Sequence, residues 1–118
     1  MEPREAERLY GPLNISAASM SQENLEAAFL QAGLAISRAE MVGSELIEFY
    51  EERDGRASRE LMRLARMRRM REPLRAQWGG VKYDSTHALY EWAIYLLLGK
   101  LNSGFYLLEK AGTIHGRA

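Results

Sequence analysis

The chain has 118 residues, 16 basic against 16 acidic groups, no cysteine and a hydrophobic fraction of 47%. That is one globular domain able to bury a core without staples, and the missing cysteine excludes thiol catalysis, thiolate zinc sites and disulfide scaffolds. The longest uncharged apolar run, Trp92 to Leu98, is far below the ~18 residues of a membrane span, and the acidic start lacks the apolar stretch of a secretory signal, so a cytoplasmic domain is expected.

Residues 1–20 show no sustained period and include Pro3, Gly11 and Pro12, which predicts a flexible, irregular N-terminal arm anchored by Leu9, Tyr10, Leu13 and Ile15. Residues 21–118 are then one helical domain. Ser19 with Gln22 forms a capping box, with Ser21 as the rival N-cap. From there to Asp54 no proline intervenes, and Leu25, Phe29, Ala32, Ile36, Ala39, Gly43, Leu46 and Tyr50 step by four and three. That stripe predicts one long helix.

Asp54-Gly55 reads as a turn. The next helix, Arg56 to Gln77, is rich in Arg and Met, with Leu61, Leu64, Ala65 and Leu74 towards one side, and Pro73 should end or kink it near Glu72. Trp78-Gly79-Gly80 breaks the chain. Asp84 or Ser85 caps a third helix, from about Thr86 to Leu101, that is apolar nearly all round and belongs in the middle of the molecule. Asn102-Ser103-Gly104 interrupts it, and Phe105 to Lys110 forms a short last helix stopped by Gly112. No segment alternates for long with period two. The expected fold is all-α: an antiparallel bundle of three long helices plus a short C-terminal helix.

The zero net charge is a cancellation, with −7 over residues 1–54 and +7 over residues 55–82. An acidic helix that neutralises a basic one explains this better than a nucleic-acid surface, because no nucleic-acid module signature accompanies the arginines. Asp84, His87 and Glu91 share a helix face, but a carboxylate-bridged metal site needs Glu-x-x-His pairs on separate helices, and the only other histidine is His115. No phosphate loop or nucleophile elbow is present. The residues therefore give a non-enzymatic module without metal or cofactor. Its Met-containing second helix and all-round apolar third helix leave surface for a partner, either a foreign amphipathic segment or a second copy in a homodimer.

The order of features resembles the FliS family of flagellin-export chaperones from Tyr10 to about Gly112. Tyr10 and the arm ending Ser16-Ala17-Ala18-Ser19-Met20-Ser21 are similar to that family's N-terminal tyrosine and arm. Leu25 to Ala39 resembles its first helix, with Gly33 following an aromatic-containing stretch. Asp54-Gly55 falls at its Gly-Asp turn, and Leu74 with Trp78-Gly79-Gly80 at its leucine-rich helix end and Gly-Gly loop. Ala88-Leu89-Tyr90-Glu91-Trp92 is similar to its Leu-Tyr-Asp-Tyr, while Tyr95 and Leu96 replace a pair of family arginines.

The resemblance implies a cytoplasmic helical bundle of the flagellar type III secretion system. Such a bundle binds the disordered C-terminal segment of flagellin, prevents premature polymerisation and delivers its client to the export gate protein FlhA. It also implies that Tyr10 latches the arm over the groove and that Tyr90, Ile94, Leu97 and Leu98 build or support it. With Leu61, Leu64 and Leu101 these make the expected partner-binding set. The alternatives are a FliS-like adaptor for another client, a homo-oligomeric helical scaffold, and a nucleic-acid binder using the arginine helix.

Overall fold

A computed structural model describes residues 1–111. It contains six α-helices, two short 3-10 turns and a two-stranded antiparallel sheet in place of an all-α bundle. The helices are α1 (Pro3–Tyr10), α2 (Gln22–Gln31), α3 (Glu45–Asp54), α4 (Arg56–Arg69), α5 (Arg71–Trp78) and α6 (Gly80–Leu97). The strands are β1 (Leu34–Gly43) and β2 (Ser103–Lys110). Among the described residues, no helix is long and apolar enough to cross a membrane.

The long first helix is the main correction. It is α2, β1 and α3 in succession, and the break falls at Gly33, whose φ of +83° ends α2 where a side chain would be strained. The stepped apolar stripe ran on through β1 because that strand has register shifts between Ile36 and Arg38 and between Met41 and Gly43. Each bulge inserts a residue, which erases period two and leaves a pattern that mimics a helix. The short last helix is likewise a strand, β2, whose Phe-Tyr-Leu-Leu run suits either state until a partner strand is available. Its proposed stop, Gly112, lies outside the described residues.

The arm is also more regular than expected. Glu2 and Glu5 make a reciprocal capping box around Pro3, the position where proline costs no hydrogen bond, and this starts α1. The four anticipated anchors do hold it: Leu9 and Tyr10 are buried, and Leu13 and Ile15 pack against them. Ser21, not Ser19, caps α2, with its side chain accepting from the Asn24 N–H at 3.1 Å. Gly55, at φ +70°, makes the expected turn between α3 and α4.

Pro73 acts as anticipated, although the break comes earlier. Its ring would meet the carbonyl four residues back, and α4 stops at that residue, Arg69. The third predicted helix starts earlier as well, at Gly80, so Asp84 lies inside α6 and pairs with Arg75 at 2.5 Å instead of capping.

Helix α6 occupies the middle, as its composition implied, with α1, α3, α4 and α5 around it. One core cluster joins Leu9, Tyr10 and Ala88, with Trp92 and Tyr95 against it. A second joins Ile47, Ala57 and Ala93 where α3, α4 and α6 meet. Several arginines of α4 and α5 are paired locally: Arg59 with Asp54, Arg68 with His87 and Glu91, Arg75 with Asp84. The anticipated acidic–basic pairing is therefore partly within α3–α4 and partly onto α6. The ribbon of β1 and β2 stands at the end of this body, its face covered by α2. Its base is tied by Asn102, whose side-chain Oδ1 accepts the Gly43 N–H at 2.7 Å.

Candidate functional site

A largely apolar groove of about 510 Å³ runs along α6. Leu89, Trp92, Ala93 and Leu96 of α6 form its floor, and Leu13, Ile15 and Ile47 its sides. The floor residues stand at i, i+3, i+4 and i+7, so a continuous helix places them on one face. Trp92 is held in position by Tyr10, whose ring meets it edge-on with centroids 5.5 Å apart. Two 3.6-residue turns of groove floor suit the apolar face of an amphipathic helix.

One polar group interrupts this surface. Glu60 of α4 lines the groove, and its Oε2 is buried without a hydrogen-bond partner among the described residues. Its other oxygen lies 3.7 Å from the Arg63 guanidinium. A buried acceptor left unmade is destabilising, so a guest donor, best a cation, would relieve that cost if the Glu60 side chain turned its covered oxygen towards the groove.

A second cavity, about 500 Å³, lies at the joint between helical body and ribbon and is lined by Tyr10, Leu25, Met41, Trp92, Leu101 and Tyr106, among others. Trp92 thus lines both concavities. A third, polar trough holds Arg8, Arg68, Asp84, His87 and Glu91. There the Arg68 Nε–H donates to His87 Nε2 at 3.1 Å, which leaves the His87 Nδ1–H to face Glu91 at 3.2 Å. These contacts clamp α4 to α6. Among the described residues, no cluster of three or more His, Asp or Glu is arranged to hold a metal ion.

The residues expected to bind a partner are dispersed. Tyr10 is 5% exposed, with burial raising its phenol pKa above the ordinary range, and it is a core residue behind the groove. Leu101 joins it in the cavity at the ribbon joint. Leu64 is buried in α4, whereas Leu61, Leu97 and Leu98 are exposed away from either concavity. Tyr90 lies under the Arg63 guanidinium, 5.8 Å from its ring, and with Ile94 occupies a face about 110–150° round α6 from the groove.

The groove residues missed by sequence reasoning had a usable signal. The spacing of Leu89, Trp92, Ala93 and Leu96 was legible, but a helix apolar all round offers several such stripes. Glu60 had no signal, because its isolation depends on what α6 and α3 bring beside it. No protein-family model matches the chain, and neither a curated protein nor a solved structure matches it.

Proposed function

We propose that the chain is a polypeptide-binding module that takes an amphipathic helical segment along α6, with a basic or amide side chain of that segment on Glu60. The observation that carries this is the unpartnered Glu60 carboxylate oxygen set in an otherwise apolar groove. Apolar side chains at i, i+3 and i+7 of the guest would meet Leu89, Trp92 and Leu96, and a flexible guest would offset its ordering cost by the area it buries.

The flagellar chaperone reading is one form of this proposal, with the C-terminal segment of flagellin as the guest and the export machinery as the destination. Its support is the sequence resemblance together with the position of Leu13 and Ile15 on the groove wall. The short last helix expected from the residues is a β-strand, so flagellin is one arm of the test and the binding chemistry is the conclusion.

Isothermal titration decides between them, using two peptides: the C-terminal segment of the host flagellin, and a designed amphipathic helix with one central Arg. Binding of both, with a negative heat-capacity change, gained helicity and a loss of about tenfold or more on Glu60→Gln, supports module and client together. Binding of the designed peptide alone keeps the module and removes flagellin. Failure of both overturns the proposal.

A further inference from the structure

We infer that the free edge of β2 is a docking edge for a β-strand of another polypeptide, whose adjoining helix covers the bare face of the ribbon. This inference stands apart from the groove, which lies on the helical body.

A two-stranded ribbon is marginal unless its faces are packed. One face is packed: α2 lies on it, with Phe29 edge-on to Tyr106 at 5.2 Å and the Tyr106 hydroxyl donating to Glu26 at 3.0 Å. Among the described residues the other face is open. Phe105 and Leu107 project from it with 52% and 60% of their surface exposed, beside the Arg38–Glu40 ion pair.

The two edges of the ribbon are not equivalent. Strand β1 carries both bulges together with Ser37, Arg38 and Glu40, the features that blunt an edge against further pairing. Strand β2 has neither bulge nor charge from Ser103 to Leu108, so this stretch lacks the features that guard an edge. The direction of its backbone groups is fixed by two contacts. The Ala111 N–H donates to the Gly33 carbonyl, and the Leu107 carbonyl accepts from Ser37 Oγ, so odd-numbered residues of β2 face β1. Gly104, Tyr106 and Leu108 therefore present their N–H and C=O groups along the edge that no described residue pairs, where a guest strand would satisfy them.

Area and symmetry select the occupant. Two copies joined through this edge would share a strip about 26 Å long, on the order of 300 Å² per copy against about 800 Å² per partner in a stable interface. The twofold would also set Phe105 and Leu107 of both copies side by side on the open face, enlarging the patch. Packing two open faces together would leave both edges unpaired. A strand with a helix beside it satisfies edge and face at once, so the partner is an α/β unit of a different polypeptide.

The test is amide hydrogen exchange on the full chain, followed by NMR, with capped peptides as probes. A strand peptide of alternating Val and Thr should slow the Tyr106 and Leu108 amides at least about tenfold, and its alternately N-methylated form should not. A longer peptide that continues the strand into an amphipathic helix should bind about tenfold more tightly, and Leu107→Asp should remove that gain alone. Unchanged exchange at Tyr106 and Leu108, or slowing confined to β1, overturns the docking edge. No gain from the helical extension overturns the covering helix. Sedimentation as a dimer that itself slows both amides overturns the foreign partner.

Discussion

Replacing Tyr10 by Ala separates a core role from a latch role for this residue. Tyr10 is 5% exposed, packs with Leu9 and Ala88 and meets Trp92 edge-on. Truncating a buried aromatic costs about 3–5 kcal/mol, of which the ring pair accounts for about 0.5–1.5 kcal/mol. For a chain of this size, about 4 °C is lost per kcal/mol, so the melting temperature should fall by about 12–20 °C. Urea unfolding followed by far-ultraviolet circular dichroism gives the free energy directly. Tyr10→Phe keeps the ring and should cost less than about 1 kcal/mol. It also supplies a pH signature. Burial raises the Tyr10 pKa, so the neutral phenol stabilises the fold below the unfolded value of about 10, and that stability is lost as pH rises towards the folded value. The wild type should therefore lose stability more steeply than Tyr10→Phe in strong alkali. A cost below about 1 kcal/mol for Tyr10→Ala, as for a side chain resting on an open groove, would refute the core assignment.

Glu60→Met replaces a half-buried carboxylate, one oxygen of which has no partner among the described residues, by an apolar side chain of similar length; it should raise stability by up to about 1 kcal/mol in urea while weakening basic guest peptides. On α4, Leu64→Ala should cost about 2–5 kcal/mol and Leu61→Ala less than about 0.5 kcal/mol, since the first is 7% and the second 52% exposed; equal costs would contradict the helix orientation. Glu51 accepts from the Ser58 N–H at 2.8 Å and from its hydroxyl at 2.5 Å, which holds its carboxyl below the usual range. Its stabilisation is present above the unfolded pKa of about 4.3 and is lost as pH falls through the lower folded value, so Glu51→Gln should flatten the acid limb of a stability–pH curve.

What was legible in the sequence was whatever depended on neighbours in the chain. Gly55 and Gly79 as breaks, an interruption ahead of Pro73 and α6 as a central helix all follow from local chemistry, although the interruption falls at Met70 and α6 begins at Gly80, both earlier than the residues indicate. The anchors Leu9 and Tyr10 were legible as apolar residues in a polar stretch, although the Glu2–Pro3–Glu5 start of their helix was overlooked. The ribbon was not legible. Its strands pair residues such as Ile36 and Leu108, which lie far apart in the chain, and the bulges in β1 cancel the alternation that would announce a strand. A short apolar run such as Phe105–Leu108 takes its state from a partner that only the fold supplies. The groove was half legible. Its stripe was visible among several on α6, but Glu60 became distinctive only once α3, α4 and α6 closed round it.

The shape of the molecule links its stability to its binding. A compact chain of this length has a radius of gyration of about 13.5 Å, whereas this one measures 17.9 Å, with extents of 62 × 31 × 25 Å. Its accessible surface, 8326 Å², exceeds the amount expected for its mass by well over 1,000 Å². The excess surface includes Leu89, Phe105 and Leu107, apolar groups whose burial would ordinarily contribute to folding. Two small core clusters must then hold an elongated body while the groove and the ribbon face stay open. Under that condition a guest strand or helix acts as a missing piece of core: at a hundred times its dissociation constant it adds about 2.7 kcal/mol to the stability of the fold. That is a large part of a total expected to be about 5–15 kcal/mol. Open surface is therefore a cost in the free chain and, on the proposed function, would be the source of affinity in a complex, so substitutions in Tyr10 or Trp92 should move both quantities together.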